Sequence, residues 1–302
     1  MRFQGSEGVI SGYMVFNIVA KAVLVLLTLF CLFPFMLLII GSFSDNATVL
    51  REGYSFFPSK LSTSAYEIMF LFPNRIISAY RVTVTVTLCG SLIGVFIISM
   101  SGYVLMRTDL RSRNTISFLI YFTSIFQGGL IPWYILITNY LKLSDKLLAL
   151  ILPSLMNPFL IILMRNFMKQ FIPMELIESA KIDGANDLLI FFKIVFWLAT
   201  PGIATVALFL ALGYWNEWYM SMLFMRTPTK YSLQFYLYNM LNAAKALAEL
   251  AAQGGSVNLS ADLPSETTKL AMAVVATGPI IMVYPFIQRY FVSGLTIGAV
   301  KG

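Results

Sequence analysis

An all-α polytopic membrane protein is the fold class predicted by this 302-residue sequence, on its composition and on the spacing of its apolar segments. Hydrophobic residues make up 58% and charged residues 12%, where an average soluble domain carries about 25% charged residues. The chain therefore has too little charge to cover a water-facing surface, and its mean hydropathy of +0.79 agrees. Apolar stretches of about 20 residues, the length that crosses a bilayer core, recur between polar loops. Six are counted, and one bundle of six transmembrane helices over residues 1–302 accounts for the length.

The first span covers about Val15 to Ile40 and contains Pro34; no small-residue cleavage site follows it, so it reads as an uncleaved span and not a signal peptide. Gly41 to Ser78 is polar enough for a loop. The second span runs from about Ala79 to Met106, followed by a tight turn with Arg107, Arg111 and Arg113. The third covers about Ile116 to Ile137, the fourth Leu147 to Met164, and a polar stretch from Arg165 to Lys193 leads to the fifth, Ile194 to Phe224. A long external segment, 226–269, precedes the sixth span, Leu270 to Ile287, and a cytoplasmic tail, 288–302. An even number of spans puts both termini on one side. That side holds eleven of the 21 Lys and Arg, nearly a tie, but three of them fall between Arg107 and Arg113. This local density places both termini in the cytoplasm.

Several classes are excluded. There is no histidine, which removes the commonest metal ligand and the usual pH switch and argues against a metal or haem redox protein. Cys31 and Cys89 lie inside apolar runs and read as small buried hydrophobes. The net charge of +7 is scattered between spans instead of forming one basic face, so nucleic acid is not a partner. No Gly-x4-Gly-Lys-Ser/Thr pattern occurs, so the chain has no phosphate-binding loop and does not hydrolyse ATP. No catalytic constellation and no cofactor site is expected.

Two spans carry helix breakers at mid-membrane depth: Gly128, Gly129 and Pro132 in the third, and Thr277, Gly278 and Pro279 in the sixth. Broken helices free backbone groups that protein or a wet cavity must satisfy, and so mark a transport path. The alternative is an ordinary kink absorbed by neighbouring helices.

Between spans four and five stands Ile172-Pro-Met-Glu-Leu-Ile-Glu-Ser-Ala-Lys-Ile-Asp-Gly-Ala-Asn-Asp-Leu188. Pro173 suits a first helical turn, Glu175 and Glu178 then fall near the positive end of the helix dipole, and Glu178 can pair with Lys181. A helical wheel puts Leu176, Ile177, Ala180 and Gly184 on one side. Glu175, Glu178, Ser179 and Asp183 share the other with Ile182. Gly184 ends this helix, and Asn186 or Asp187 caps a second that leads into span five. A short amphipathic helix before a glycine bend docks into a groove on another protein or lies on the lipid surface. Its acidic residues favour the first.

The run Glu178-Ser-Ala-Lys-Ile-Asp-Gly-Ala185, with Phe191-Phe-Lys-Ile194 and Pro201 after it, resembles the signature loop of permease subunits of ATP-binding cassette importers. Further segments are similar to the maltose-type carbohydrate branch, in particular its oligosaccharide and polysaccharide importers. These are Phe126-Gln-Gly-Gly-Leu-Ile-Pro132, Met164-Arg-Asn-Phe167, Tyr214-Trp-Asn-Glu-Trp218 and Leu263-Pro-Ser-Glu-Thr-Thr-Lys269 through Gly302. Ser179 departs from the pattern by replacing an alanine, and Trp197 stands where many members have proline. The resemblance implies the type I importer architecture, with a cytoplasmic coupling helix seated in an ATPase cleft. It carries that role to Glu175, Glu178, Ser179, Ala180, Asp183, Gly184 and Ala185. It also implies a second permease subunit forming a heterodimer, two cytoplasmic ATPase subunits that use ATP and Mg, and an external solute-binding lipoprotein or periplasmic protein. The setting it implies is the bacterial cytoplasmic membrane.

Candidate substrate-path residues are Gln127, Gly128 and Gly129 in the third span and Trp215, Asn216, Glu217 and Trp218 in the fifth. Glu217 lies sixteen residues past Pro201, roughly 24 Å along a straight helix. Aromatic faces beside amide and carboxylate groups suit sugars; an interfacial aromatic belt is the alternative. Leu237, Met240, Leu241, Ala244, Leu247 and Leu250 form an apolar stripe at helical spacing, followed by Gly254-Gly-Ser256. The stripe packs on the bundle or a neighbouring subunit, or docks the external binding protein. The tail from Val292 to Gly302 has too little apolar periodicity for another span, and in some related importers it reaches the ATPase. A secondary transporter driven by an ion gradient is the rival reading, and it would need ionisable relays near the midplane that the spans, apart from Glu217, scarcely offer.

Overall fold

The computed structural model describes the backbone of residues 6–252 and 266–299. It is helical, and among the described residues the only extended pairing is an isolated antiparallel bridge between Ser44 and Leu61. The expectations for Gly254-Gly-Ser256, for Leu263 to Ser265 and for the last three residues lie outside the described residues, as do those for the side chains of Ala244, Leu247 and Leu250. The chain divides into two compact units, Met1–Leu71 with Ala243–Ala276, and Phe72–Asn242 with Thr277–Gly302.

In the first unit, α1 (Ser6–Ser42) continues through Pro34. From Met14 onward its large apolar side chains are turned outward, the distribution of a helix whose solvent is hydrocarbon. The stretch read as a loop instead contains two short helices, α2 (Asn46–Glu52) and α3 (Ser64–Met69). The second is tied in through the fully buried Ser42, whose hydroxyl donates to the Ile39 carbonyl at 2.6 Å and shares a hydrogen bond with the Tyr66 hydroxyl at 2.8 Å. A Cβ on Gly41 would sit 2.6 Å from Leu270 Cδ1, so that glycine allows the close approach of the final helix, α15 (Glu266–Ala299).

The break expected at Thr277-Gly278-Pro279 does not occur: α15 is continuous there and runs on past the predicted end of the sixth span at Ile287, through Val292 to Ala299. A proline normally displaces the residue before it from helical geometry by meeting its Cβ. Gly278 has none, and the helix passes.

In the second unit α4 (Pro73–Met106) starts six residues before the predicted boundary, with proline in its first turn. It packs against α8 (Pro158–Phe171) and α12 (Thr200–Trp215). Glycines line the contact. A Cβ on Gly90 would lie 2.5 Å from the Tyr214 ring, one on Gly94 2.9 Å from Leu210, and one on Gly102 2.9 Å from Met164. Gly90 and Gly94 form the small-xxx-small pattern by which membrane helices approach closely. Ile98, Ile161, Met164 and Val206 fill the seam, each at most 1% exposed, and the Tyr214 hydroxyl donates to the Ile151 carbonyl at 2.7 Å.

Spans three, four and five are bent pairs, and for the fourth and fifth no break was predicted. In the third, α5 (Arg113–Ile125) meets α6 (Leu130–Ile135), which winds on to Tyr140, at 108°. The break is the expected one, at Gly128 and Gly129, and Gly129 takes φ +90°. In the fourth, α7 (Leu148–Ile151) and the turn to Ser154 meet α8 at 47°. Asn157 is extended before Pro158 and caps the restart, accepting from the N–H groups of Phe159 and Leu160 at 3.0 and 3.3 Å.

In the fifth, α10 (Asp187–Ile190) winds on to α11 (Phe196–Leu198) and turns 83° into α12. Pro201 cannot donate to the Trp197 carbonyl; the Thr200 hydroxyl does so instead, at 2.7 Å. Two helices, Met14–Ser42 and Pro73–Met106, are each long and apolar enough to cross a membrane, and the three bent pairs raise the number to five among the described residues. Between α8 and α10 lies α9 (Met174–Ile182), and α13 (Tyr219–Phe224) and α14 (Leu233–Ala252) follow α12.

The glycine seam makes a stability prediction. Gly90→Ala pushes a methyl into the Tyr214 ring and costs about 1–3 kcal/mol, as overpacking does, whereas Gly213→Ala meets nothing within 4 Å and is neutral within about 0.5 kcal/mol. Thermal unfolding in detergent should rank wild type and Gly213→Ala together, above Gly90→Ala.

Candidate functional site

The segment singled out by its chemistry folds locally much as its residues dictate. Pro173, extended at φ −61° and ψ 133°, stands at the N-cap of α9, one position before the first turn. Ile177 is 1% exposed, with Met174, Ala180 and Ala185 half-buried beside it against the core. The inward face is thus Met174-Ile177-Ala180: of the predicted side Ile177 and Ala180 face inward, while Leu176 and Gly184 face outward. Side chains lean toward the helix N-terminus, and the contact with the body of the unit runs along an i, i+3 row. Outward stand Glu175, Glu178, Ser179, Asp183 and, 87% exposed, Ile182.

Gly184 closes the helix with φ +82°. The Ala185 N–H donates to the Ala180 carbonyl at 2.9 Å and the Gly184 N–H to the Lys181 carbonyl at 3.0 Å, the paired bonds of a Schellman turn, which needs a left-handed residue at that place. Asn186, not Asp187, then caps α10, its side-chain oxygen accepting from the Leu189 N–H at 2.8 Å. The chain therefore leaves the bend along a fixed direction.

Lys181 does not turn to Glu178. Its ammonium bonds the Asp109 carboxylate at 2.8 Å, 72 residues away in the turn after α4. Asp109 is also gripped by both arms of the Arg107 guanidinium, Nε to Oδ1 at 2.8 Å and a second arm to Oδ2. Arg107 reaches a further carboxylate, Asp187 at 2.5 Å, in the first turn of α10. Its side chain is only 15% exposed and lies 5.9 Å from the centroid of the Tyr103 ring. Hydrogen bonds from Arg107, and next from Lys181, hold the Asp109 carboxyl well below the usual carboxylate range. Those to Asp109 and Asp187 push the Arg107 guanidinium further up. Sequence reading used these arginines only for orientation; no local spacing links Asp109 to Lys181.

The substrate-path candidates fall into two places. Gln127, Gly128 and Gly129 are exposed in the break between α5 and α6. Trp215 is buried with its ring 6.5 Å from that of Tyr80, while Trp218 lies against Tyr238 at 4.8 Å and Tyr219 at 5.8 Å. Asn216 donates to the Leu212 carbonyl at 2.9 Å. Glu217 is not on a straight helix from Pro201: α12 ends at Trp215, and the half-buried Glu217 carboxylate accepts the Met220 N–H at 2.7 Å. It caps the start of α13, where the helix dipole favours an anion.

A second clamp went unseen in the sequence. Asp145, at φ +60°, accepts from the N–H groups of Arg226 and Thr227 at 3.1 Å each, from the Thr227 hydroxyl at 2.7 Å and from the Lys230 ammonium at 2.8 Å. It ties the loop after α6 to the segment after α13. Lys230 first, and then Thr227, hold its carboxyl well below the usual range. No group of His, Cys, Asp and Glu among the described residues has the geometry of a metal site.

Known proteins bear on this geometry. No family model matches the chain. It is 38% identical over 287 residues to the polygalacturonan/rhamnogalacturonan transport system permease protein YtcP of Bacillus subtilis, covering 95% of this chain and 98% of that one. It is 37% identical to the protein LplC of the same organism, over 89% of both chains. Among solved structures, a bacterial ABC transporter involved in the import of the acidic polysaccharide alginate matches with a TM-score of 0.74 and 29% identity, over 96% of this chain and 100% of that one.

A carboxylate with a depressed pKa contributes stability above its unfolded value of about 3.9 and loses it as pH falls through the folded one. The Asp145 clamp therefore stays shut from about pH 5 to 8. Asp145→Asn, which mimics the protonated state, should open it at neutral pH and speed tryptic cleavage after Arg226 and Lys230 severalfold. Wild type should show no such change between pH 8 and pH 5.5 in a pH-tolerant protease assay.

Proposed function

The chain belongs to the permease subunits of carbohydrate ABC importers, and on that footing we propose that residues 172–188 are the coupling segment through which ATP hydrolysis on partner subunits drives sugar import. The protein is a multi-pass membrane permease that moves a carbohydrate, and it is not itself an enzyme. Importers of this family work with a second permease, ATPase subunits and a substrate-binding protein. The observation that carries the proposal is Ile182, 87% exposed on the acidic face of a helix whose opposite face is locked into the core. Ile182 and Leu176, both turned outward on this helix beside Glu178 and Asp183, give the acidic surface the apolar contacts that a partner protein buries.

In this reading Glu175, Glu178, Ser179, Ile182, Asp183 and Gly184 meet a groove of the ATPase. Ala180 and Ala185 hold the helix to the permease instead. ATP and Mg reside on the partner pair. Five spans come from the two long helices and three bent pairs, and α15 supplies a sixth; an even count puts both termini on one side, that of the coupling segment, which this reading places in the cytoplasm. The relatives' substrates are polysaccharides, so the cargo is placed among oligosaccharides. The break at Gln127-Gly128-Gly129 and the Trp215-to-Trp218 turn are its candidate contacts. Closure of the ATPase pair moves the docked helices, and the bundle alternates between two packed arrangements.

Reconstituted with its partner permease, ATPases and binding protein, the complex should take up oligosaccharide only with ATP and should continue when ionophores collapse the ion gradients; the reverse pattern belongs to a secondary transporter. Ile182→Asp should strip the ATPase subunits from the purified permease while the permease still folds. At the other site, Glu217→Gln keeps an acceptor for the Met220 N–H and removes the charge. Lowered uptake in both Glu217→Gln and Glu217→Ala assigns Glu217 to the pathway, and lowered uptake in Glu217→Ala alone assigns it to capping.

A further inference from the structure

We propose that Arg107, Asp109, Lys181 and Asp187 form a rigid joint that delivers the movement of α9 to α4. The proposal rests on the reading of 172–188 as the coupling segment. Three observations carry it. The four charges come from four places: Arg107 at the end of α4, Asp109 in the turn beyond it, and Lys181 on α9 and Asp187 on α10, on either side of the Gly184 bend. The joint therefore grips the bend from both flanks. Its centre is a two-armed guanidinium–carboxylate contact between Arg107 and Asp109, a geometry that fixes direction as well as distance. And the Arg113 guanidinium donates to the Arg107 carbonyl at 3.1 Å, pinning the backbone from which the fork projects.

Stability is not a sufficient reason for such an arrangement. The side chains of Asp109, Asp187 and Lys181 are 48%, 54% and 37% exposed, and exposed ion pairs add about 0.2–1 kcal/mol each. The apolar contact of Ile177 already seats the helix on the core. What the row Met174-Ile177-Ala180 resists least is rolling of α9 about its own axis, since its contacts lie along one line. Two charged contacts on opposite flanks of Gly184 do resist it. Arg107, Asp109, Lys181 and Asp187 are thus positioning residues: none is placed on the face offered to the ATPase.

The test uses the assembled importer in vesicles and reads two quantities, ATPase subunits retained per permease and sugar imported per ATP hydrolysed. Asp109→Asn and Lys181→Met should each retain the ATPases at the wild-type ratio and lower sugar per ATP roughly five- to tenfold, within the usual range of coupling between sites. Asp109→Glu should restore it, and the double variant Asp109→Asn with Lys181→Met should lose no more than Asp109→Asn alone, because the Lys181 contact is already cut in that variant. Unchanged sugar per ATP in both single variants overturns the joint. So does loss of the ATPases from Asp109→Asn, which would make the charges part of the seat, and so do additive losses in the double variant. Ile182→Asp, run beside them, keeps the two ideas apart: if that variant still holds the ATPases, the coupling assignment itself falls, whatever the joint does.

Discussion

The contact of α4 with α8 and α12 through glycine is the constraint from which the rest of the larger unit follows. Hydrocarbon gives packed helices no hydrophobic drive to associate, so close backbone approach has to supply the attraction. Gly90, Gly94 and Gly102 give α4 that approach along one face, and Gly202 does the same between α12 and Phe167 of α8, where a Cβ would come within 2.6 Å. Because α8 and α12 are both fixed to α4, the chain between them has fixed ends. Residues 172–199 form a short excursion between two anchored helices, and a push on that excursion has somewhere to go.

The ends of the excursion are fixed by local chemistry as well. Asn157 caps the helix that precedes it, Asn186 caps α10 within it, Gly184 sets the bend, and the Thr200 hydroxyl covers the carbonyl that Pro201 leaves unpaired. Each of these is a backbone group satisfied without water, the requirement the bilayer imposes most strictly. That requirement also explains why three spans are bent and not straight. A bend at Gly129, Asn157 or Ala199 is tolerable where a side chain, a turn or a neighbouring helix takes up the freed groups.

Local features were legible in the sequence and long-range ones were not. The break at Gly128 and Gly129, the helix before Gly184 and the cap at Asn186 all depend on residues within a few positions of each other, where glycine, asparagine and proline act through their own backbone preferences. The Gly90-x-x-x-Gly94 pattern was equally visible and was passed over, because the second span read only as an apolar run. By contrast, the pairing of Asp109 with Lys181 and of Asp145 with Lys230 joins residues far apart in sequence, and nothing in their neighbourhoods distinguishes them from ordinary loop charges. The expected Glu178 pairing failed for the same reason: i, i+3 partners on a helix contribute only about 0.2–0.5 kcal/mol, and a carboxylate already held by Arg107 outcompeted it. The break expected at Pro279 failed locally, because the residue before that proline is glycine.

The two ends of the larger unit carry matching devices with different consequences. Each is a carboxylate in a short turn that fastens a distant segment: Asp109 to Lys181 at one, Asp145 to Thr227 and Lys230 at the other. Asp145 is met by two backbone N–H groups, the Thr227 hydroxyl and one cation, Lys230, all from a single segment with no exposed apolar anchor of the kind Ile182 provides, so its clamp holds a loop in shape. Asp109 is met by two cations from different elements, one of them on the helix that carries Ile182. A carboxylate shared by two cations on separately packed helices cannot relax when one of them moves without dragging the other, and that asymmetry is what distinguishes a joint from a fastening.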